Sequence, residues 1–333
     1  MKKIIVLGCG IIGLTTAISI LLDKKRQVLI YSEYLPCDNE ANGFDYCSSK
    51  SGAYWNSFAK ENDDLQKEID LETFKILFKT SENKNSGITI NRYYQYYRDR
   101  DNYTKPWFFN DTLFDLKIID EKDLPENTRF GYSRLGLSIN VKKYLRFLIN
   151  KFILLGGIIE RKRIVDCYEF KDDIVINCLG NNANKLSVNN NLNKDDDLIP
   201  VKGLIVRMRF KEKNRPFNFK VIEKDEEIAT YCIVYDDNTC VLGGTYEKEK
   251  SNSSIYNSIK EIQNRCSKFI DCYDMNLIET HYGTRPCRKE GPRIEIDKQN
   301  NFLIHNYGHG TFGYSSSWGS ALHVVKLLNL LKQ

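Results

Sequence analysis

Apolar residues occur in short runs separated by polar stretches rich in Asn and Lys. The first run, Lys3–Leu7, is apolar and β-branched after its first residue, the pattern of a buried parallel strand. Gly8, Gly10 and Gly13 then interrupt the apolar sequence, and Ile11–Leu22 continues it as a helix. Gln27–Tyr31 reads as a second buried strand, ending in Ser32-Glu33. Strand, turn, helix and strand make a βαβ unit, which implies a parallel sheet with a right-handed crossover. The run Ile4–Leu22 approaches the roughly 20 residues of a membrane-spanning helix. Two leading lysines also imitate a secretion signal. The strand–turn–helix reading gives the three glycines a role, whereas a spanning helix leaves them without one, and no small-residue cleavage site follows. The expectation is a soluble, cytoplasmic protein without a membrane partner.

Further along, Leu65–Thr80, Val141–Leu154, Asn252–Ile270 and Ser315–Leu331 carry helical patterns. Ile158–Arg161, Ile174–Cys178 and Asn301–His305 read as strands, and Tyr93–Arg100 as an amphipathic strand crowded with aromatics. Leu204–Phe210, Thr230–Val234 and Thr239–Gly244 alternate in the manner of an antiparallel sheet. A polar loop, Asn181–Asp197, separates the two kinds of pattern. Buried parallel-type strands at the start, middle and end of the chain enclose antiparallel material. The expected fold is α/β (α+β overall), a Rossmann-like nucleotide domain interleaved with an antiparallel-sheet substrate domain. The boundaries read as 1–60, 140–180 and 299–333 for the first, and 61–139 and 181–298 for the second.

Composition narrows the chemistry. The 333 residues carry a net charge of +5, spread without a basic tail or stripe, which argues against a nucleic-acid partner. The ten cysteines form no C-x-x-C pair, so reduced, buried thiols are expected. Only four histidines stand against twenty tyrosines, and all four lie near the C-terminus, which leaves little for a histidine base or a histidine-rich metal site.

Gly8-Cys9-Gly10-Ile11-Ile12-Gly13 matches G-x-G-x-x-G, and its context supports it. It follows a strand, opens a helix, and Glu33 lies at the end of the next strand. Gly8 makes the turn, Gly10 admits a pyrophosphate, and Gly13 lets helix pack on strand. The pyrophosphate then meets free N–H groups and partial positive charge at the helix start. A carboxylate at Glu33 suits an adenosine ribose and disfavours a 2′-phosphate. FAD and NAD share this signal. The strand Asp173–Gly180, whose terminal glycine returns to the nucleotide, favours FAD.

Near the C-terminus, His305-Asn306-Tyr307-Gly308-His309-Gly310 follows a strand and precedes a helix, with Gly313 and Trp318-Gly319 just beyond. Together with Gly283-Thr284-Arg285-Pro286, Leu242-Gly243-Gly244-Thr245-Tyr246, Asn177-Cys178-Leu179-Gly180 and Ser51-Gly52-Ala53-Tyr54-Trp55, this resembles the D-amino-acid oxidase family, which includes D-aspartate oxidases. The matches run in order across nearly the whole chain.

The resemblance implies a flavin oxidase. Hydride would pass from the substrate α-carbon to FAD, giving a 2-oxo acid, ammonia and hydrogen peroxide, with a small D-amino acid or related amine and molecular oxygen as partners. It places the carboxylate-binding arginine on Arg285 and substrate-site tyrosines on Tyr231 and Tyr246. The backbone carbonyl that receives the substrate amine falls on Thr311. The cofactor set it implies begins with Gly8, Gly10, Ile11, Ile12, Gly13 and Glu33. It continues with Ser48, Gly52, Trp55, Val165 and Gly180, and closes with Gly310, Phe312, Gly313, Tyr314 and Ser315. Plain alternatives stand beside these roles: a salt bridge for Arg285, sheet aromatics for Tyr231 and Tyr246, core packing for Trp55. His305 and His309 read as structural. Lys220 is a candidate cation for an acidic side chain, on a loose alignment.

Two positions depart from the family pattern. Glu227 stands where mammalian members have a tyrosine, and Thr311 stands where glycine is usual. The chain ends Leu-Lys-Gln, without the peroxisomal Ser-Lys-Leu address. A homodimer is compatible with the sequence. Competing readings are an oxidase of another amine such as glycine or sarcosine, an NAD-dependent dehydrogenase, and a flavin-binding relative without catalysis.

Overall fold

The computed structural model describes residues 2–23, 26–36, 38, 46–192, 194–222, 229–247 and 255–331. Two large sheets organise them. The first has six strands in the order Arg293–Ile296, Leu303–Tyr307, Ile174–Asn177, Ile4–Leu7, Val28–Ser32 and Ile158–Arg161. All neighbours run parallel except the edge strand Arg293–Ile296. Helix Ile11–Leu22 crosses between the first two strands in chain order, as the βαβ pattern requires. Helices Ile11–Leu22, Val141–Leu154 and Gly313–Leu330 contribute to the apolar core beside this sheet, with Leu14, Ile18, Leu145, Leu148, Val324 and Leu328 buried.

Polar contacts pin these helices. Thr15 donates to the Ser317 carbonyl at 3.1 Å, and the Trp318 indole donates to the Tyr144 hydroxyl at 2.7 Å. Helix Asp64–Thr80 begins on Asp63, whose side chain accepts from the Gln66 amide, and it packs closely on the C-terminal helix at Gly319. A side chain at Gly319 would overlap the Ile69 backbone.

The second sheet has nine strands and is antiparallel apart from one parallel pair. Its main order is Asn276–Arg288, Leu198–Arg209, Thr239–Gly243, Ala229–Val234, Asn218–Ile222, Ile88–Tyr97, Phe130–Ile139 and Ala53–Tyr54. Helix Ile255–Cys266 seals one face with Ile262 and Cys266.

The expected helices Ile11–Leu22 and Val141–Leu154 are present with those bounds. The expected strand Tyr93–Arg100 is shifted: it runs Ile88–Tyr97, and Arg100 belongs to a short helical turn. The loop Asn181–Asp197 contains a helical turn to Lys185 and a small hairpin, Ser187–Val188 with Asn191–Leu192. The helix expected over Asn252–Ile270 is Ile255–Cys266, and 252–254 lie outside the described residues. Two long strands, Phe130–Ile139 and Asn276–Arg288, are absent from the sequence reading. Nine cysteines are described and seven of them are buried, while Cys37 lies outside the described residues. No helix among the described residues is long and apolar enough to cross a membrane.

Candidate active site

Parallel sheets bind ligands beyond the carboxyl ends of their strands. There, the turn after Leu7 faces the turn after Asn177. Gly8 has φ 104°, and a Cβ on it would lie 2.7 Å from the Cys178 carbonyl oxygen. A Cβ on Gly13 would overlap the Gly8 carbonyl, which is the close helix–turn packing expected of that glycine. Helix Ile11–Leu22 has no acidic residue in its first turn. Ser48 Oγ accepts from the Ile11 amide at 3.1 Å, and Ser32 Oγ accepts from the Cys9 amide at 3.1 Å. The turn is thus held by hydroxyls, and its positive end stays open to an anion.

Two cavities meet at this helix start. One of about 170 Å³ is lined by Gly8, Ser32, Glu33, Arg163, Ile164 and Asn182, among others. The other, of about 470 Å³, runs from Ile11 towards the antiparallel sheet. Gly10, Cys47, Ser48, Cys178 and Gly180 lie on the walls of both. Glu33 is 3.8 Å from the Arg163 guanidinium. Among the described residues, Asn182 Oδ1, beside the smaller cavity, and Asn306 Oδ1, beside the larger one, are buried without a hydrogen-bond partner. These orphaned acceptors, the glycine cradle and a helix start whose N-cap residue Gly10 carries no side chain fit a dinucleotide. The smaller cavity suits its adenosine end and the larger one its flavin end.

In the larger cavity, Arg285 projects from strand Asn276–Arg288. Its guanidinium donates to the carbonyls of Lys202 and Thr245, both at 3.2 Å. It also lies 5.7 Å from the centre of the Tyr246 ring. Neither partner is a carboxylate, so the surface salt bridge weighed for Arg285 is not what is seen. A Cβ on Gly203 would overlap this guanidinium. Gly203 therefore makes room for Arg285, and sequence reasoning missed it because the pairing Gly203↔Gly283 is far from local. Tyr231 lies over Gly243, its cross-strand partner. Burial pushes the Tyr231 phenol up from its ordinary range while Arg285 works against that shift, so the hydroxyl stays a donor.

Arg285, Tyr231, Tyr246 and Thr311 all line this one cavity. So do Gly10, Ile11, Ile12, Ser48, Gly52 and Gly180, and at the far end Gly310, Gly313, Tyr314 and Ser315. Tyr314 donates to the Ser48 carbonyl at 2.7 Å, which ties the C-terminal helix to the segment carrying Gly52.

Gly13 lines neither cavity and packs against the Gly8 carbonyl, and three further expected cofactor residues stand elsewhere. Trp55 is fully buried, donates to the Asp70 carbonyl at 3.0 Å and stacks on Phe114 at 5.1 Å. Side chains alternate along the strand, so Tyr54 lines the cavity and Trp55 points into the core. Val165 is 57% exposed and its carbonyl accepts from the Ser187 amide; its neighbours Arg163 and Ile164 line the smaller cavity instead. Phe312 lines neither cavity and stacks on Phe58 at 5.3 Å. Glu227 lies outside the described residues.

The sequence did not point to Arg134 either. It is buried, donates to the Trp55 carbonyl and to Asn56 Oδ1 at 2.9 and 3.1 Å, and so holds the segment that borders the cavity. His305 and His309 are buried. His305 meets Asp297 at 3.1 Å and His309 meets Ser320 at 2.9 Å, and burial lowers the His309 imidazole to about 3, so it is neutral at pH 7.

A parallel nucleotide sheet joined to an antiparallel sheet, with an arginine–tyrosine cavity between cofactor turn and sheet, defines a flavin-dependent oxidoreductase. The FAD dependent oxidoreductase (DAO) family model matches residues 3–327, and the chain belongs to that family; its cofactor is FAD. A D-amino-acid oxidase of Dictyostelium discoideum is 28% identical, covering 98% of this chain and 91% of that protein. One from Rubrobacter xylanophilus is 26% identical, covering 98% and 96%. Among solved structures, glycine oxidase from Bacillus cereus superposes with a TM-score of 0.76 at 16% identity, covering 100% of this chain and 96% of that one.

Proposed function

We propose that this protein oxidises D-amino acids with molecular oxygen, giving a 2-oxo acid, ammonia and hydrogen peroxide. The observation that carries the reading is Arg285, aimed into the larger cavity with only backbone carbonyls as hydrogen-bond acceptors. A guanidinium so placed can clamp a carboxylate bidentately. Tyr231 adds a hydroxyl in the same cavity, and Thr311 lines it too, the residue whose backbone carbonyl the resemblance implies as acceptor for the substrate amine. FAD, when bound, supplies the two-electron acceptor.

The residues contribute orientation: they hold the α-carbon in one pose. No histidine base is needed. The described histidine in the cavity wall, His309, stays uncharged and bonded to Ser320. The two named D-amino-acid oxidases, matched nearly end to end, support the same reading.

Peroxide release over a panel of D-amino acids, with L-enantiomers, glycine and sarcosine as controls, tests it. Arg285→Leu should raise KM strongly while flavin stays bound. Unchanged KM and turnover in that variant would overturn the assignment of Arg285. Peroxide from glycine or sarcosine alone would move the activity to another amine.

A further inference from the structure

Outside both cavities, an ion pair around one buried carboxylate joins the two sheets. Asp195 belongs to the polar loop between strands Ile174–Asn177 and Leu198–Arg209, and its side chain is only 5% exposed. Arg288 ends the strand that carries Arg285 and grips this carboxylate twice, Nε to Oδ2 at 2.7 Å and Nη2 to Oδ1 at 3.2 Å. The same guanidinium reaches Asp197 at 3.4 Å and donates to the Gly291 carbonyl at 2.9 Å. The Tyr307 hydroxyl donates to Asp195 Oδ2 at 2.9 Å. The Asp195 backbone exchanges two hydrogen bonds, each of 2.9 Å, with the Asn184 side chain. Burial opposes the charge on Asp195, yet the bonds from Arg288 and Tyr307 overcome it and hold the carboxyl below its ordinary range. Neither Asp195 nor Arg288 lines a cavity.

The pair sits where one cavity wall meets another. Side chains alternate along a strand, so Arg285 enters the larger cavity and Arg288, three residues on, leaves by the opposite face. The Arg288 stem packs against Gly308, which has φ 87°; a Cβ there would lie 2.5 Å from Arg288 Cδ. Cys287 pairs with His309 through a backbone bridge, and a Cβ on Gly310 would lie 3.2 Å from the Cys287 sulfur. The turn Gly308–Gly310, which leads into Thr311, is therefore seated on the last two residues of the Arg285 strand. Packing alone would bring the turn close. A guanidinium and a carboxylate that meet through two bonds fix its direction as well.

We propose that Asp195 and Arg288 are positioning residues. Their ion pair staples the strand bearing Arg285 to the turn bearing Thr311, and so sets the distance between the carboxylate and amine ends of the substrate. This rests on the oxidase reading above, which puts the amine at the Thr311 carbonyl. Tyr307 and Asn184 tie Asp195 to the strand before that turn and to the turn after Gly180, so both cofactor-side segments follow it. A displacement of about 1 Å between reacting groups costs roughly 100-fold in rate. Arg285 keeps its own supports, the Lys202 and Thr245 carbonyls, and still binds a carboxylate when the staple is cut.

The test uses the FAD-loaded protein with Arg288→Met, Arg288→Lys and Asp195→Asn. Rapid mixing with substrate in the absence of oxygen reads the limiting rate of flavin reduction and the apparent substrate Kd separately. Arg288→Met and Asp195→Asn should slow reduction by about 10- to 100-fold, with Kd within about threefold of wild type. Arg288→Lys keeps the stem and the charge and should recover part of the rate. Asp195→Asn keeps the shape of the carboxylate, so it reads the pair even where Arg288→Met does not fold. A binding arm needs no turnover: benzoate carries only the carboxylate, and 2-aminobenzoate adds a neighbouring amine. Calorimetry should show wild type favouring 2-aminobenzoate. Both neutral variants should narrow that preference by about 2- to 10-fold, the loss of one hydrogen bond, with benzoate affinity unchanged. A wild-type reduction rate in the folded variants, a parallel loss of benzoate and 2-aminobenzoate, or a wild type that binds the two equally overturns the inference. Absence of oxidation with every amine, beside a preference for 2-aminobenzoate that depends on Arg288 and Asp195, overturns the oxidase reading and leaves the staple standing.

Discussion

Gly203→Ala perturbs Arg285 without touching it. The added methyl would overlap the guanidinium, which now lies between the Lys202 and Thr245 carbonyls. The group it meets is the far end of a flexible side chain, so the clash resolves by moving the guanidinium and the sheet survives. A bidentate carboxylate clamp comprises two charge-assisted hydrogen bonds of about 1.5 kcal/mol each at the low end. Losing both costs about 3 kcal/mol, or roughly 100-fold in carboxylate affinity. The loss falls on ground-state binding, so it should appear in KM more than in kcat. Steady-state oxygen consumption on a D-amino acid, paired with a melting curve and a flavin-to-protein ratio, reads all of this. KM should rise by about two orders of magnitude, with flavin content and melting temperature close to wild type. An unchanged KM in the folded, flavin-loaded variant would refute the claim that Gly203 seats Arg285.

Gly13→Ala forces a methyl into the Gly8 carbonyl, a backbone atom that cannot step aside. Overpacking of this kind costs about 1–3 kcal/mol, so the urea midpoint and the bound-flavin ratio should both fall. Stripping FAD should lower the melting temperature, since FAD at about 100 times its Kd stabilises the fold by about 2.7 kcal/mol; re-addition should restore it. Asp70 is fully buried and accepts from Gln66, Ser57 and Ser316, and desolvation raises its carboxyl to about 6. A raised folded-state pKa gives stability that is complete below the unfolded value near 3.8 and is lost as pH climbs through 6. Relative to wild type, Asp70→Asn should therefore gain up to about 3 kcal/mol between pH 4 and 7, measured by denaturant titration at each pH.

What could be read in advance was the local chemistry. Gly8, Gly10 and Gly13 announce a turn because each answers a separate steric demand within one short segment. Helices Ile11–Leu22 and Val141–Leu154 have unbroken apolar spacing and clean ends. Strand Asn276–Arg288 was hidden because it is an edge strand with Gly283, Pro286 and charged residues, and its pairing with Leu198–Arg209 spans a long stretch of chain. The same non-local pairing hid Gly203. Trp55 was misplaced because a motif gives neighbours but not the phase of strand alternation, and one residue of phase exchanges cavity for core. Arg134 could not be found at all from sequence, since its partners Trp55, Asn56 and the ring of Tyr93 come from distant segments.

The most direct measurement is anaerobic mixing of the FAD-loaded protein with D- and L-amino acids while following the yellow flavin absorbance. The account predicts that D-enantiomers bleach the flavin, that L-enantiomers do not, and that air then restores the colour with release of hydrogen peroxide. Flavin that stays oxidised with every D-amino acid, or that L-enantiomers bleach as readily, would contradict it.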